Sequence, residues 1–216
     1  MADPFASAWR WIPERRSVTS MTDAVQRCRG CDLYAGASRA VFGAGRARAR
    51  VMLVGEQPGD AEDRAGKPFV GPAGRVLRDA IERSGLASET LYLTNAVKHF
   101  RWRPAKDSKR RLHQTPTGAQ VGACNPWLRA ELATVSPKLV ILLGAIAGQS
   151  LFGAGFRVSD SRGRPLEWPG GLDERPPDGL LFASIHPSAV LRAVDRSETF
   201  DGLVDDLTTA LEALDA

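Results

Sequence analysis

The chain has 216 residues, of which 43% are hydrophobic and 25% are charged, as in an ordinary globular protein. This length suits one α/β domain with a sizeable core. The formal net charge of +4 is compatible with an anionic partner, but solubility alone would account for it equally well.

The sequence contains none of the usual membrane or export signals. No run of about 18 apolar residues is present, which argues against a membrane-spanning helix. The first residues, MADPFASAWRWIPERRS, lack the apolar stretch of a secretory signal. Lys is scarce beside Arg, as in GC-rich bacterial genomes. We therefore expect a bacterial, cytoplasmic protein without a membrane partner, and we expect a monomer.

Strand and helix patterns alternate along the chain. Residues 1–20 are predicted to be a loosely packed arm, and residues 21–216 to form one domain. Short apolar runs typical of buried strands are RVMLVG (50–55), LYLTN (91–95), KLVILLG (138–144) and GLLFASI (179–185). Helical stretches are predicted at Thr19–Gln26, Ala73–Ser84, Thr117–Thr134, Ala145–Leu151 and Ser188–Leu214. The alternation predicts a single α/β domain, with a central four-stranded, mostly parallel sheet flanked by helices.

In such sheets, ligands bind beyond the carboxyl ends of the strands. The first strand is followed by GEQPGDAEDRAGKPFVGPAG (55–74), whose glycines and prolines predict a shaped loop that lets backbone approach a ligand closely. It lacks the Gly-Lys-Ser/Thr ending of a phosphate-binding Walker loop. Glu62 and Asp63 fit a solvent-exposed acidic loop. Glu56 directly follows a buried strand, so we predict that its carboxylate is functional.

Two further strand ends carry polar side chains. Asn95 follows the second strand, where an amide can present donors and an acceptor to the edge of a base. His186 leaves the fourth strand just before Pro187, which suits a first helical turn. A single Asn or His at a strand end is more often structural. Because Glu56 is expected at the same edge of the sheet, we predict that Glu56, Asn95 and His186 form one site.

A basic segment, KRRLHQTP, occupies residues 109–116. Its cations Lys109, Arg110 and Arg111 are typical of a loop that contacts phosphates and raises affinity for DNA. In that interpretation His113 is incidental. The alternative is that His113 takes part in chemistry.

The cysteines are Cys28, Cys31 and Cys124. An odd number of cysteines in a reducing compartment favours metal or redox use over a disulfide framework.

Together these segments resemble a known family. GEQPGDAEDRAGKPFVGPAG, TNAVKHF, GACNPWL and HPSAVLR are similar to motifs of the uracil-DNA glycosylase superfamily, specifically its iron–sulfur family 4 branch. GEQPG combined with KRRLHQTP resembles the UdgX subgroup, which becomes covalently attached to uracil-containing DNA. The resemblance covers about residues 24–212. It implies single- or double-stranded uracil-containing DNA as partner, free uracil as product, and action at the nucleoid.

The resemblance implies roles for the pocket residues. Phe69 would stack on a uracil extracted from the helix, and Asn95 would read the polar edge of that base. His186 would donate a hydrogen bond toward uracil O2, where negative charge develops. Ser188 and Arg192 would contact phosphate. The remaining loop residues assigned to substrate binding are Gly55, Gln57 and Asp60.

The resemblance to UdgX also implies a role for His113. Its imidazole would attack C1′ of the sugar after uracil leaves, and Glu56 would support the sugar cation and accept the remaining ring proton. Two alternatives remain open at this stage. One is an ordinary multiple-turnover uracil glycosylase in which His113 is a spectator, and the other is a non-catalytic iron–sulfur module that binds DNA.

A metal site follows from the same resemblance. Family 4 members bind a [4Fe–4S] cluster through four cysteines, of which Cys28, Cys31 and Cys124 supply three here. His99 stands where the family has the remaining cysteine. A set of three cysteines and one histidine could also hold zinc, so zinc stays as the alternative.

Overall fold

The computed structural model describes residues 7–106 and 108–216, without the side chains of Ser88 and Lys109. Part of the predicted arm, residues 1–6, lies outside the described residues. Ala8–Trp11 forms a short 3-10 helix with Ala8 buried. The first α-helix, α1, spans Val18–Val25. The division of the chain at residue 20 stays a prediction.

A mostly parallel sheet forms the centre of the fold. Its strands are β1 (Ala44–Gly45), β2 (Val51–Gly55), β3 (Leu91–Asn95), β6 (Leu139–Leu143) and β7 (Leu180–Ser184). They lie in the order β1-β3-β2-β6-β7. The predicted four-stranded parallel core, β3-β2-β6-β7, is confirmed. β1 adds an antiparallel edge that was not predicted, because two residues are too short for a periodic pattern.

Helices cover both faces of the sheet. They are α2 (Asp60–Ala65), α3 (Pro72–Arg83), α4 (Gly118–Val135), α5 (Ala145–Phe152), α6 (Pro187–Arg192) and α7 (Arg196–Asp215). Three of them match the predicted helices closely, namely α3, α4 and α5. Among the described residues, no helix is both long enough and apolar enough to cross a membrane.

The alternation of side chains along β2 divides the core. Val51 and Leu53 pack in one buried cluster with residues of α3, α6 and α7. Met52 and Val54 point to the opposite face and pack with residues of α4 and α5. All of β2 and β6 is therefore buried, as expected for parallel strands covered on both faces. This packing fixes the strand ends that carry the site.

The predicted helix over Ser188–Leu214 is wrong, because two helices occupy this stretch. The first, α6, ends where Ala193 turns to extended backbone with ψ 148°. The second, α7, begins with its own N-cap, since Asp195 Oδ1 accepts a hydrogen bond from Glu198 N at 2.9 Å. In the sequence the break is marked by the polar residues 195–199, DRSET, which begin with the N-cap Asp195.

The predicted basic loop is also wrong. The strands β4 (Trp102–Ala105) and β5 (Ser108–His113) form an antiparallel hairpin in which Trp102 pairs with His113. The segment KRRLHQTP is therefore mostly strand. Its charged residues interrupt the apolar alternation by which a strand is recognised.

Candidate functional site

A pocket of about 940 Å³ lies at the carboxyl edge of the sheet. Most of the predicted site residues line it: Glu56, Gln57, Asp60, Phe69, Asn95, His113, His186, Ser188 and Arg192. Gly55 lies in its wall, against Asn95 and Phe69. A second cavity of about 780 Å³, lined from within residues 167–177, contains none of the predicted residues.

Gly55 lets two pocket side chains approach the end of β2. A Cβ atom at this position would lie 2.4 Å from Asn95 Oδ1 and 2.7 Å from Phe69 Cζ. Both distances are shorter than van der Waals contact, so any side chain would displace these groups. The role of Gly55 is thus to leave room for the residues that line the pocket.

Phe69 is held in an unusual backbone conformation. Its φ of 54° is in the left-handed region, which is uncommon for an aromatic residue. Arg78 Nη1 donates to the Phe69 carbonyl at 2.9 Å, and a Cβ at Gly74 would lie 1.9 Å from that oxygen. The ring is 6% exposed and faces His186, with ring centroids 6.5 Å apart and planes at 28°. The surrounding contacts therefore fix one aromatic wall of the pocket.

The expectation that Glu62 and Asp63 are solvent-exposed is wrong, since both are buried. Glu62 accepts hydrogen bonds from Gly71 N at 2.8 Å and Gly59 N at 3.1 Å, which ties the two ends of the loop together. Asp63 accepts from Ser38 N at 3.0 Å. These carboxylates are buried because they satisfy backbone N–H groups that would otherwise have no partner.

His186 is the N-cap of α6. Its Nδ1 accepts a hydrogen bond from Ser188 N at 3.1 Å and lies 2.7 Å from Ser188 Oγ, to which Arg192 Nη1 donates at 2.9 Å. Burial lowers the pKa of His186 to about 4. The imidazole is therefore neutral at pH 7. Because Nδ1 acts as an acceptor, its proton resides on Nε2.

Glu56 and His113 meet at the mouth of the pocket. Glu56 Oε1 lies 3.3 Å from His113 Nε2, and the His113 side chain is 49% exposed. The geometry does not make this contact a hydrogen bond, and Glu56 Oε1 is a buried acceptor without a partner among the described residues. A buried carboxylate oxygen in this state is ready to accept a proton or stabilise a positive charge.

Gln57 fixes the base of the hairpin that carries His113. Its Nε2 donates to Gln114 O at 3.0 Å and to Arg101 O at 3.2 Å. Its Oε1 accepts from Arg101 N at 3.0 Å. The amide predicted to bind substrate is thus engaged with both strand ends of the hairpin.

The basic residues of the hairpin have different environments. The guanidinium of Arg111 pairs with Asp60 and, at 2.6 Å, with Asp63, and its side chain is 11% exposed. Arg110 is exposed. The Lys109 side chain is outside the described part of the chain. Arg111 therefore attaches the hairpin to the body of the protein rather than facing solvent, although its partner Asp60 is partly exposed.

The three cysteines belong to one buried cluster. Cys28 Sγ accepts a hydrogen bond from Trp127 Nε1 at 3.4 Å. Burial, assisted by the neighbouring thiols, raises the pKa of Cys31 to about 11 and that of Cys124 to about 12. The thiols of Cys31 and Cys124 are therefore protonated in the metal-free chain at pH 7.

His99 is also buried, and burial together with the nearby charge of Arg29 lowers the pKa of its imidazole to about 4. Thiols and a neutral imidazole are the donor types that iron and zinc accept. Within residues 7–106 and 108–216, however, no three His, Cys, Asp or Glu side chains are arranged closely enough to hold a metal ion.

Some pocket residues were not predicted. Gly144 has φ 91°, and a Cβ there would lie 2.8 Å from His186 Cβ, so it permits the approach of β7. The signal in the sequence that could have identified Gly144 is its position at the end of an apolar run. Thr115, Val158 and Leu191 also line the pocket. Val158 lies in a long segment without periodicity, and no sequence pattern marks it.

Comparison with known proteins assigns the family. A family model described as the uracil DNA glycosylase superfamily matches residues 42–208. The chain belongs to the uracil-DNA glycosylase superfamily. A type-4 uracil-DNA glycosylase of Thermotoga maritima is 35% identical over 174 residues, which cover 80% of this chain and 82% of that protein. One from Archaeoglobus fulgidus is 31% identical over 189 residues, covering 86% and 88%.

A further superfamily member, the type-4 uracil-DNA glycosylase of Pyrobaculum aerophilum, is 33% identical over 177 residues. The alignment covers 79% of this chain and 82% of that protein. The names of these relatives agree with the predicted family 4 resemblance.

Proposed function

We propose that this protein excises uracil from DNA and then becomes covalently attached, through His113, to C1′ of the resulting abasic site. Superfamily membership and the type-4 relatives support uracil-DNA glycosylase activity. The observation that carries the attachment is the pair formed by Glu56 and His113, 3.3 Å apart at the mouth of the pocket.

The pocket offers groups that suit an extruded uracil. Phe69 supplies a flat apolar face. Asn95 is 3% exposed, and among the described residues its backbone carbonyl is hydrogen-bonded while its side-chain amide is not. The amide is therefore free to pair with the polar edge of the base. The Nε2–H group of His186 can donate a hydrogen bond to O2. Donors placed in advance where charge develops are a large source of rate enhancement.

Excision breaks the bond between C1′ and the base, and the electron pair of that bond leaves with uracil as an anion. The anion then takes up a proton from water and becomes free uracil. The cation left at C1′ is stabilised by the Glu56 carboxylate. An unprotonated ring nitrogen of His113 then forms a bond to C1′, and Glu56 accepts the proton from the other ring nitrogen. The product is a neutral substituted imidazole, which is a poor leaving group. A nucleophile held in place can have an effective molarity of about 10⁵ M or more, so it competes with water.

Residues at the pocket rim would hold the DNA. Arg192 and Ser188, joined by a hydrogen bond of 2.9 Å, are candidates for phosphate contact, as is the exposed Arg110. The partner is uracil-containing DNA, single- or double-stranded, and free uracil is the released product.

The cofactor proposed for the buried thiols is a [4Fe–4S] cluster, with zinc as the alternative. The residues that would hold it are Cys28, Cys31, His99 and Cys124. Their donor types suit the cluster, and the proposal rests otherwise on the resemblance to the family 4 branch. The cluster would connect separated segments of the chain and take no part in the bond-breaking step.

An ordinary multiple-turnover glycosylase is the second candidate, and the relatives named type-4 uracil-DNA glycosylases favour it. A denaturing gel after incubation with a uracil-containing oligonucleotide separates the possibilities. A shifted band that survives boiling in detergent supports attachment. Abasic product in excess of enzyme supports turnover, and neither product would indicate a DNA-binding module.

A further inference from the structure

A lysine is completely buried beside the predicted base-reading residue. Lys98 is 0% exposed. Its Nζ donates to Glu131 Oε2, to the Asn95 backbone carbonyl at 2.6 Å and to Thr94 Oγ1 at 2.8 Å. An ammonium has three donors, and here all three are used inside the protein. Lys98 is therefore unavailable to substrate, and its contacts are directed at the end of β3.

Glu131 is equally buried and is held from several directions. Its Oε1 accepts from Tyr92 OH at 2.9 Å and from Gly43 N at 3.1 Å, and Thr94 Oγ1 contacts both of its oxygens. Glu131 is thus held in α4 by these contacts, and it anchors the Lys98 ammonium. The anchored ammonium in turn contacts the Asn95 carbonyl.

A contribution to the stability of the fold is a weak explanation for a buried ion pair between Lys98 and Glu131. Removing two charges from water is costly, and buried ion pairs replaced together by neutral residues often leave a protein as stable as before. Asn95 is the last residue of β3, where Gly55 brings its side chain close to β2. A fixed carbonyl there sets the direction of the Asn95 Cα–Cβ bond, and hence of the side-chain amide.

We infer that Lys98 and Glu131 are positioning residues, which hold Asn95 in the orientation that recognises uracil. This inference rests on the proposed role of Asn95. The Lys98 ammonium, anchored by Glu131, fixes the Asn95 peptide so that the amide presents its donor and acceptor to the base without reorganisation. In enzymes generally, misplacement of such a group by about 1 Å can slow the reaction by about 100-fold.

The test removes both charges together. In Lys98→Met/Glu131→Gln, the glutamine Oε1 still accepts from Tyr92 OH and Gly43 N, and its Nε2 can donate to Thr94 Oγ1. No charge is left unpaired, so the variant is expected to fold with a circular dichroism spectrum like the parent's. Lys98→Leu/Glu131→Gln is a second pair with the same expectations. Both variants lose the contacts of the Lys98 ammonium with Glu131, Thr94, the Asn95 carbonyl and the Phe42 ring. The Asn95→Ala background described below isolates the part of the effect that acts through Asn95.

Two control variants separate positioning from general damage. Arg129→Met/Glu174→Gln removes a partly buried ion pair away from the pocket. Thr94→Val disturbs the same buried network but keeps the contact from Lys98 to Asn95. Both controls are expected to excise uracil within about 2-fold of the parent rate, as for changes that leave the reacting groups in place.

The measurement is the single-turnover rate of uracil release, with enzyme in excess, so that the rate constant reports the folded molecules. Each Lys98/Glu131 variant should be slower by about 10- to 100-fold. In an Asn95→Ala background, the same changes should not slow uracil release further, because the effects of residues that act through one another are not additive.

The outcomes are distinct. Three results would overturn the positioning role alone. The first is equal slowing in the parent and Asn95→Ala backgrounds, and the second is slowing by Thr94→Val to the same extent. The third is a parental rate in the Lys98/Glu131 variants. A parental rate for Asn95→Ala itself overturns the proposed role of Asn95, and the positioning role with it.

Discussion

At the scale of single residues, the two histidines of the pocket lie in different environments, which fit the different tasks proposed for them. His186 is buried, and its Nδ1 accepts a hydrogen bond from the backbone of α6. His113 is half exposed at the end of β5, beside a carboxylate. A fixed donor suits the departing base, whereas an accessible imidazole suits attack on the sugar.

The neutral state of His186 gives a pH dependence. Its pKa is about 4 in the folded protein, against about 6.5 in an unfolded chain. Between these values the unfolded chain binds more protons, so the free energy of unfolding should fall as the pH falls from about 6.5 toward 4. In urea denaturation across this pH range, the free energy of unfolding should decline less for His186→Gln than for the parent. An equal decline in parent and variant would mean that His186 does not titrate in this way.

At the scale of elements, the hairpin determines where His113 lies. Its base is tied by Gln57, and its second strand is attached through Arg111 to Asp63. The strands of the parallel core were predictable because they are short, continuous apolar runs, and most helices because they occupy the stretches between those runs. The hairpin was not, since its strands are largely exposed and charged, and the contacts that hold it come from residues about fifty positions earlier in the chain.

Loosening the hairpin should separate base release from attachment. In Gln57→Ala the hairpin loses three hydrogen bonds at its base. Uracil release should stay near the parent rate, while the fraction of cleaved sites attached to protein falls, because water competes with a poorly placed imidazole. Gel quantification of adduct against abasic product measures both.

Gln26→Ala is the matched control, since this amide donates to Ala40 O at 3.0 Å, in a part of the chain that does not line the pocket. It should leave the ratio of adduct to abasic product unchanged. An unchanged ratio in Gln57→Ala as well would show that the hydrogen bonds of Gln57 are not needed to place His113.

At the scale of the whole molecule, the sheet brings distant segments together at one edge. Glu56, Asn95 and His186 were predictable as a group, because parallel strands end at the same edge. The roles of Gln57, Glu62 and Arg111 were not. Their partners are backbone atoms or distant side chains, and a single sequence does not show which residues meet.

The thiol cluster yields a prediction about the whole fold. Purified protein carrying the proposed [4Fe–4S] cluster should be brown, with broad absorbance at roughly 400 nm. Removal of the metal with a chelator should lower the unfolding temperature, because the cluster would join segments far apart in sequence. Colourless, zinc-containing protein with full activity would contradict the iron–sulfur assignment and favour zinc.

The central claim is that His113 captures the sugar and Glu56 assists it. The most direct measurement compares parent, His113→Ser and Glu56→Gln on uracil-containing DNA, by a detergent-denaturing gel and by the yield of abasic product. The parent should give a shifted band with no more product than enzyme. His113→Ser should give no shifted band but continuing release of uracil, since the smaller side chain admits water. Glu56→Gln should slow uracil release itself, because a neutral amide supports a cationic sugar poorly. A shifted band from His113→Ser would contradict the proposed role of His113. The same role would be contradicted if His113→Ser binds DNA normally but neither attaches to it nor excises uracil.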